Sequence, residues 1–225
     1  MKYPRTFHLP FSEGATSDDK RLGSDWFANY KGKEVVLTEK LDGENSCMSQ
    51  YGVFARSHAT PTRTPWSKNL WDYNGLYNKV KSAIGADEEV FGENLFGVHS
   101  IEYSRLKHYF HVFAVLGLSN EMFHFSVWYS WDDVETVAEM MGVPTVPVLW
   151  RGVFDNEADV ERKVMELMKE PSAYGDTKEG VVMRIADEFY TEDFPKYVCK
   201  YVRANHVQTD EHWTKNWKKA ELCGQ

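Results

Sequence analysis

Residues 39–45, Glu-Lys-Leu-Asp-Gly-Glu-Asn, put a lysine where chemistry could use it. Lys40 follows a strand-like run, Glu34-Val35-Val36-Leu37-Thr38, and Asp42-Gly43 reads as the turn straight after it. Strand alternation sets Lys40 and Asp42 on one face, and Gly43 lets a phosphate or a backbone come close. An amine beside a carboxylate at the mouth of a sheet is a candidate covalent nucleophile, with a metal or hydroxyl partner nearby. A surface hairpin with a Lys/Asp pair would carry the same residues, so the pattern needs support from elsewhere in the chain.

Three further segments supply it. Phe91-Gly92-Glu93-Asn94-Leu95-Phe96-Gly97 sets a carboxylate within a Gly-flanked apolar strand. Glu179-Gly180-Val181-Val182-Met183-Arg184 sets another at the start of an apolar strand, and Tyr197-Val198-Cys199-Lys200-Tyr201-Val202-Arg203 is a strand carrying a lysine. In each, a charge interrupts a run that would otherwise be buried, and an unpaired buried charge is costly. Taken singly these are edge positions open to solvent; taken together, in this order, they read as one site.

That order resembles the covalent nucleotidyltransferase superfamily of ATP-dependent DNA and RNA ligases and mRNA capping enzymes. Lys40-Leu41-Asp42-Gly43 matches its nucleophile motif, and Ala55-Arg56-Ser57-His58 resembles the next. Phe91 to Gly97 resembles the Gly-Glu motif, and Tyr109-Phe110-His111-Val112-Phe113-Ala114 the strand with an adenine-stacking aromatic. Glu179-Gly180-Val181-Val182 matches the metal-linked motif and Cys199-Lys200-Tyr201-Val202 the terminal lysine motif. Gly43, Asn45 and the Glu-Asn-Leu-Phe-Gly spacing look most like the phage-type RNA ligase 2 branch. The resemblance spans residues ~33–205.

It implies an RNA ligase that joins 3′-hydroxyl and 5′-phosphate ends through lysyl-AMP and an adenylylated 5′ end, with ATP and Mg²⁺ (or Mn²⁺) as cofactors and RNA, or DNA or a nicked duplex, as partner. Lys40 is the implied nucleophile. Lys200 and Arg184 are the cations that depress its pKa and neutralise phosphate charge. Glu179, with Asp42, would hold the metal. Glu93 and Arg56 would meet the ribose, Phe113 would stack on the base, Glu39 would help read the base edge, and Asn45 would complete the nucleotide contacts. The pattern departs from the family at Val202, where ligases usually carry a second lysine; Lys196 replaces it better than Arg203 by strand face. A minimal DNA ligase and a capping guanylyltransferase share the nucleophile motif. A nucleotide-binding module without turnover is the competing reading from another class.

These residues need elements to hold them. Helices are predicted at 66–84 (Leu70, Tyr73, Tyr77, Val80 and Ile84 on one stripe), 131–141 (capped by Ser130, stopped by Gly142) and 157–169. Strands are predicted near 33–40, 45–50, 52–57, 88–97, 109–117, 122–128, 146–150, 179–185 and 197–203. Many strands among few helices, without βαβ alternation, argue an α+β fold with mostly antiparallel sheets. The resemblance implies two such sheets flanking a nucleotide cleft, with peripheral helices, over residues 1–203, and residues 204–225 as a short helical appendage. Neither a P-loop nor a Gly-x-Gly-x-x-Gly fingerprint occurs. The net charge of −8 argues against a non-specific nucleic-acid coat protein, so any polynucleotide grip must be a local basic track. Arg56, Arg63 and Lys68 are one candidate track; Lys215, Lys218 and Lys219 among Trp213 and Trp217 are another. Three scattered cysteines suggest neither disulfides nor zinc, and no segment reads as a signal peptide or a membrane span, so a reducing cytoplasm is expected.

Overall fold

Two sheets face each other across a cleft. The structure, a computed structural model, describes residues 2–56, 59–119, 125–205 and 216–224. Its strands are β1 (Phe7–His8), β2 (Val35–Lys40), β3 (Glu44–Ser49), β4 (Gly52–Ala55), β5 (Glu89–Asn94), β6 (Gly97–Val98), β7 (Phe110–Ser119), β8 (Phe125–Trp128), β9 (Val148–Gly152), β10 (Gly180–Ile185), β11 (Phe189–Tyr190), β12 (Val198–Val202) and β13 (Lys218–Lys219). One sheet has the order β1-β12-β10-β2-β9 and the other β11-β8-β7-β5-β3-β4, with β13-β6 as a small pair. Every named pairing is antiparallel except β1 with β12. This is the expected α+β class.

The helices are α1 (Lys68–Asp72), α2 (Leu76–Ala83), α3 (Trp131–Met141), α4 (Glu157–Lys169) and α5 (Phe194–Tyr197). The bounds of α3 and α4 are the predicted ones, because their signals are local. Ser130 Oγ accepts the Asp133 N–H at the start of α3, and Gly142 closes it in the left-handed region at φ 65°. Asn156 caps α4 in the same way. The predicted helix 66–84 is broken instead: Asn74 and Gly75 take φ of 50° and 67°, so α1 and α2 are separate. A shared apolar stripe hides such a break, since both halves still face the core through Leu70, Leu76 and Val80. The predicted strand 88–97 is likewise interrupted, into β5 and β6.

The appendage also differs from expectation. Residues 206–215, with Trp213 and Lys215, lie outside the described residues. Beyond them Lys218–Lys219 is a strand paired with Gly97–Val98, and Ala220 N–H donates to Phe96 O at 2.8 Å. Trp217 packs on Trp66 and Phe96, and the Lys219 amine sits 5.4 Å from the Phe96 ring centre. A sheet edge left open by β6 attracts an extended partner more readily than a helix. Among the described residues, no helix is long and apolar enough to cross a membrane.

Candidate active site

β2 delivers Lys40 as its last residue, opposite Gly180 on β10. Glu179 immediately precedes Gly180, so the pairing register brings the two side chains together: Lys40 Nζ donates to Glu179 Oε2 at 2.6 Å. A Cβ on Gly180 would lie 2.0 Å from Tyr201 O, so glycine is what allows β12 to come this close. β12 places Lys200 opposite Val182 on the same sheet face, two strands across and two residues along from Lys40, roughly 12 Å at the backbone. Asp42 lies in the turn. Its Oδ2 accepts the N–H groups of Ser100 (2.7 Å) and Ile101 (2.8 Å), and its own N–H donates to the Tyr103 hydroxyl at 2.8 Å. Asp42 therefore fastens the lysine's turn to a neighbouring loop. Gly43 admits backbone rather than phosphate, since a Cβ there would sit 2.6 Å from Asn94 O. Its N–H donates to Glu93 Oε1 at 3.0 Å, which carries the site across to the second sheet.

The electrostatics reverse one expectation. Burial works to lower the Lys40 pKa, but Glu179, Glu93 and Asp42 together outweigh it, and the amine is held above its ordinary value. The surrounding carboxylates, rather than cations, dominate the ligand-free site. Burial pushes Glu93 up to about 8, assisted by Glu179 and Asp42 and opposed by Lys40. Lys200 is brought down to about 8 by burial first and then by the like charge of Lys40. The cluster thus stores a proton on Lys40 and makes Lys200 easier to deprotonate than a free lysine.

Asn45, Arg56 and Phe113 line the same cleft. Asn45 Oδ1 is buried without a hydrogen-bond partner among the described residues, an orphan acceptor that a bound ligand's donor would satisfy. Phe113 is the extra residue of a β-bulge, where the β5–β7 register shifts between Phe91 and Gly92; a bulge re-aims a side chain, here into the cleft. Arg56 lies at the cleft mouth; Ser57 and His58 of its motif are outside the described residues.

Three assignments are corrected. Glu39 lines the cleft, but its carboxylate accepts from Ser172 Oγ and from the Ala173 N–H, on the sheet face opposite to Lys40, so both oxygens are engaged away from Lys40 rather than offered to a base edge. Arg184 stands opposite Val36, four strand positions from Lys40 or about 13 Å along the sheet. Its guanidinium donates to Ile185 O and Tyr129 O and lies near the rings of Trp131 and Phe189. It belongs to the aromatic end of the cleft and does not neutralise phosphate beside Lys40. Lys196 lies on α5, before β12 begins, and pairs with Asp193 at 2.6 Å, so it cannot stand in for a second cleft lysine.

The cleft measures about 820 Å³, within the range of small-molecule sites. Its walls come from both sheets and, unexpectedly, from Lys2, Tyr3, Pro4, Arg5 and Thr6. The sequence offered no periodicity or spacing by which to detect that segment. No group of three His, Cys, Asp or Glu poised to hold a metal occurs among the described residues. Glu179, Glu93 and Asp42 are nonetheless hard oxygen donors around Lys40. That set suits a cation held by one or two carboxylates and shared with a nucleotide's phosphates, as Mg²⁺ commonly is.

A family model described as RNA ligase matches residues 33–202. The chain belongs to the RNA ligase family. Solved structures agree on the fold. An RNA ligase from Naegleria gruberi, solved with PPi, is 18% identical with a TM-score of 0.55, covering 89% of this chain and 60% of that one; the same protein has also been solved, as variants, with ATP and Mn. A putative ATP-dependent DNA ligase from Aquifex aeolicus is 17% identical (TM-score 0.56; 89% and 49% covered). An archaeal ATP-dependent RNA ligase is 14% identical (TM-score 0.53; 87% and 48%). This RNA ligase family member spans about half to three fifths of these chains. No curated protein matches it.

Proposed function

We propose that this chain is an ATP-dependent RNA ligase whose Lys40 carries AMP. The observation that carries the reading is Lys40 Nζ at 2.6 Å from Glu179, at the floor of a cleft walled by both sheets. In the first step the neutral amine attacks the α-phosphorus of ATP: an N–P bond forms, the bond to the bridging oxygen breaks, and pyrophosphate leaves. Lys40 must lose its proton before attack, and Glu179 is the group positioned to release or take it. Lys200, easily deprotonated or charged near pH 8, faces the developing phosphate charge. Asn45 Oδ1 accepts from the nucleotide, and Phe113 stacks on its base. Glu93, protonated below pH 8, donates or accepts at the ribose. A divalent cation, Mg²⁺ or Mn²⁺, held by Glu179 and assisted by Asp42 Oδ1, would supply charge neutralisation at the phosphates. AMP then passes from Lys40 to a 5′-phosphate of RNA, and a 3′-hydroxyl displaces it to seal the strand. Where a second lysine is usual in the last motif this chain has Val202, and Lys196 is held by Asp193 on α5, so Lys200 serves alone.

The test uses purified protein, Mg²⁺ and α-labelled ATP or GTP, followed by a denaturing gel. Label retained from ATP, absent with GTP and lost in Lys40→Ala supports the reading. Label from GTP alone indicates a capping-type enzyme, and no label in protein free of bound AMP indicates a binding module. Supplying the labelled protein with nicked RNA, nicked DNA or single-stranded RNA then identifies the polynucleotide.

A further inference from the structure

Residues 2–6 cross from one sheet to the other. β1 runs beside β12 with His8 opposite Lys200, and Leu9 N–H donates to Lys200 O at 2.8 Å. Just before β1, Arg5 donates to Asp18 O at 2.6 Å and to Asp19 Oδ1 at 3.2 Å, which tethers the segment at the cleft rim. Tyr3 then inserts its ring into the second sheet. Its centroid lies 5.1–5.3 Å from those of Phe91, Phe113, Trp128 and Phe194, in tilted and edge-to-face arrangements. Four such contacts hold a ring in one place.

The inner face of that second sheet is continuous: Asn45, Cys47 and Ser49 on β3 stand opposite Glu93, Phe91 and Glu89 on β5. Yet it opens into two cavities, the cleft of about 820 Å³ and another of about 420 Å³, and Lys2, Tyr3 and Arg56 line both. Tyr3 and its neighbours are therefore a partition. They end the cleft just beyond Asn45 and Glu93, with Tyr3 in edge-to-face contact with Phe113.

We propose that Tyr3 is a wall of the base-binding end of the cleft: in edge-to-face contact with Phe113, it fixes that ring and closes the end of the cleft against which the nucleotide base rests. The inference rests on the nucleotide reading above and adds a positioning residue to it. An obstructing plug would leave little room, but the cleft keeps its volume with Tyr3 in place. The ring of Tyr3 makes its packing contacts, so the ring supplies the wall. Because every base has a π-face, such a wall contributes affinity more than adenine-over-guanine choice.

The test measures ATP binding by equilibrium dialysis on the full chain, comparing wild type with Tyr3→Ala, Tyr3→Leu and Tyr3→Phe. Tyr3→Ala is expected to raise the Kd for ATP about tenfold, the scale of one base–aromatic contact. The KM for self-labelling should rise in parallel with much less change in kcat, and Tyr3→Phe should bind as wild type. Should Tyr3→Ala fail to fold, Tyr3→Leu keeps apolar bulk without the ring and should show the same loss. ATP binding that is unchanged in a folded Ala or Leu variant overturns the inference, as does tighter binding, which would make the segment an obstruction. Wild type that binds ATP but takes no label sinks the lysyl-AMP reading alone; wild type that binds no ATP sinks both.

Discussion

Substituting Glu179→Gln separates the two jobs that the Lys40–Glu179 contact performs. In the free protein the carboxylate stabilises protonated Lys40 through a 2.6 Å charge-assisted hydrogen bond, with the Glu179 side chain only 7% exposed and that of Lys40 25%. A hydrogen bond to a charged group contributes about 1.5–3 kcal/mol. Glutamine keeps the shape and an acceptor but removes the charge, so most of that preference for the protonated amine disappears. The fraction of neutral Lys40 should then rise on the order of 10- to 100-fold near neutral pH. Asp42 remains and keeps the rise below the upper end. An amine-reactive acylating reagent, with Lys40 modification followed by mass spectrometry across pH 6–10, reads this directly and without turnover. Acylation of Lys40 should speed up while AMP transfer from ATP slows, because the residue that restrains the proton also serves the phosphate chemistry. Acylation equal to wild type at every pH would refute the reasoning, since it would mean that Glu179 does not set the protonation state of Lys40.

Glu93→Gln should change the pH profile of stability. A carboxyl whose pKa is raised on folding favours the native state fully below its unfolded value, near 4.5, and that contribution is lost as pH rises through about 8. The variant should therefore gain Tm relative to wild type between pH 5 and 9, and a parallel pair of melting curves would remove the basis for a buried neutral Glu93. Asp42→Ala strands the Ser100 and Ile101 amides and should cost roughly 2–4 kcal/mol, a Tm fall on the order of 10 °C for a chain this long. Asp42→Asn, which keeps one oxygen, should lose about half as much; equal Tm for all three proteins would show that the carboxylate does not anchor the turn. Gly180→Ala forces a methyl group against Tyr201 O and should cost about 1–3 kcal/mol or more in denaturant unfolding, with wild-type stability contradicting the close approach of β12.

Much of this molecule could be read from short stretches of chain. Lys40, the carboxylates at 93 and 179 and the lysine at 200 stand out because each is a charge set in an apolar strand, and the structure gathers all four about one cleft. Helices α3 and α4 were legible to the residue because caps, stops and a 3.6-residue stripe act within a few positions of one another. What lay beyond the sequence was decided by groups far apart along it. Glu39 was drawn away by Ser172, 133 residues on, and Arg184 by the carbonyl of Tyr129. The break between α1 and α2 was masked by a stripe that continues through it. The charge state of Lys40 follows from carboxylates on three separate segments, and Tyr3 reached the cleft through a parallel strand pairing with β12 that no local pattern encodes. Residue types determined which chemistry was available. Side-chain direction and proton affinity depend on neighbours assembled in space, and only the folded structure could set them.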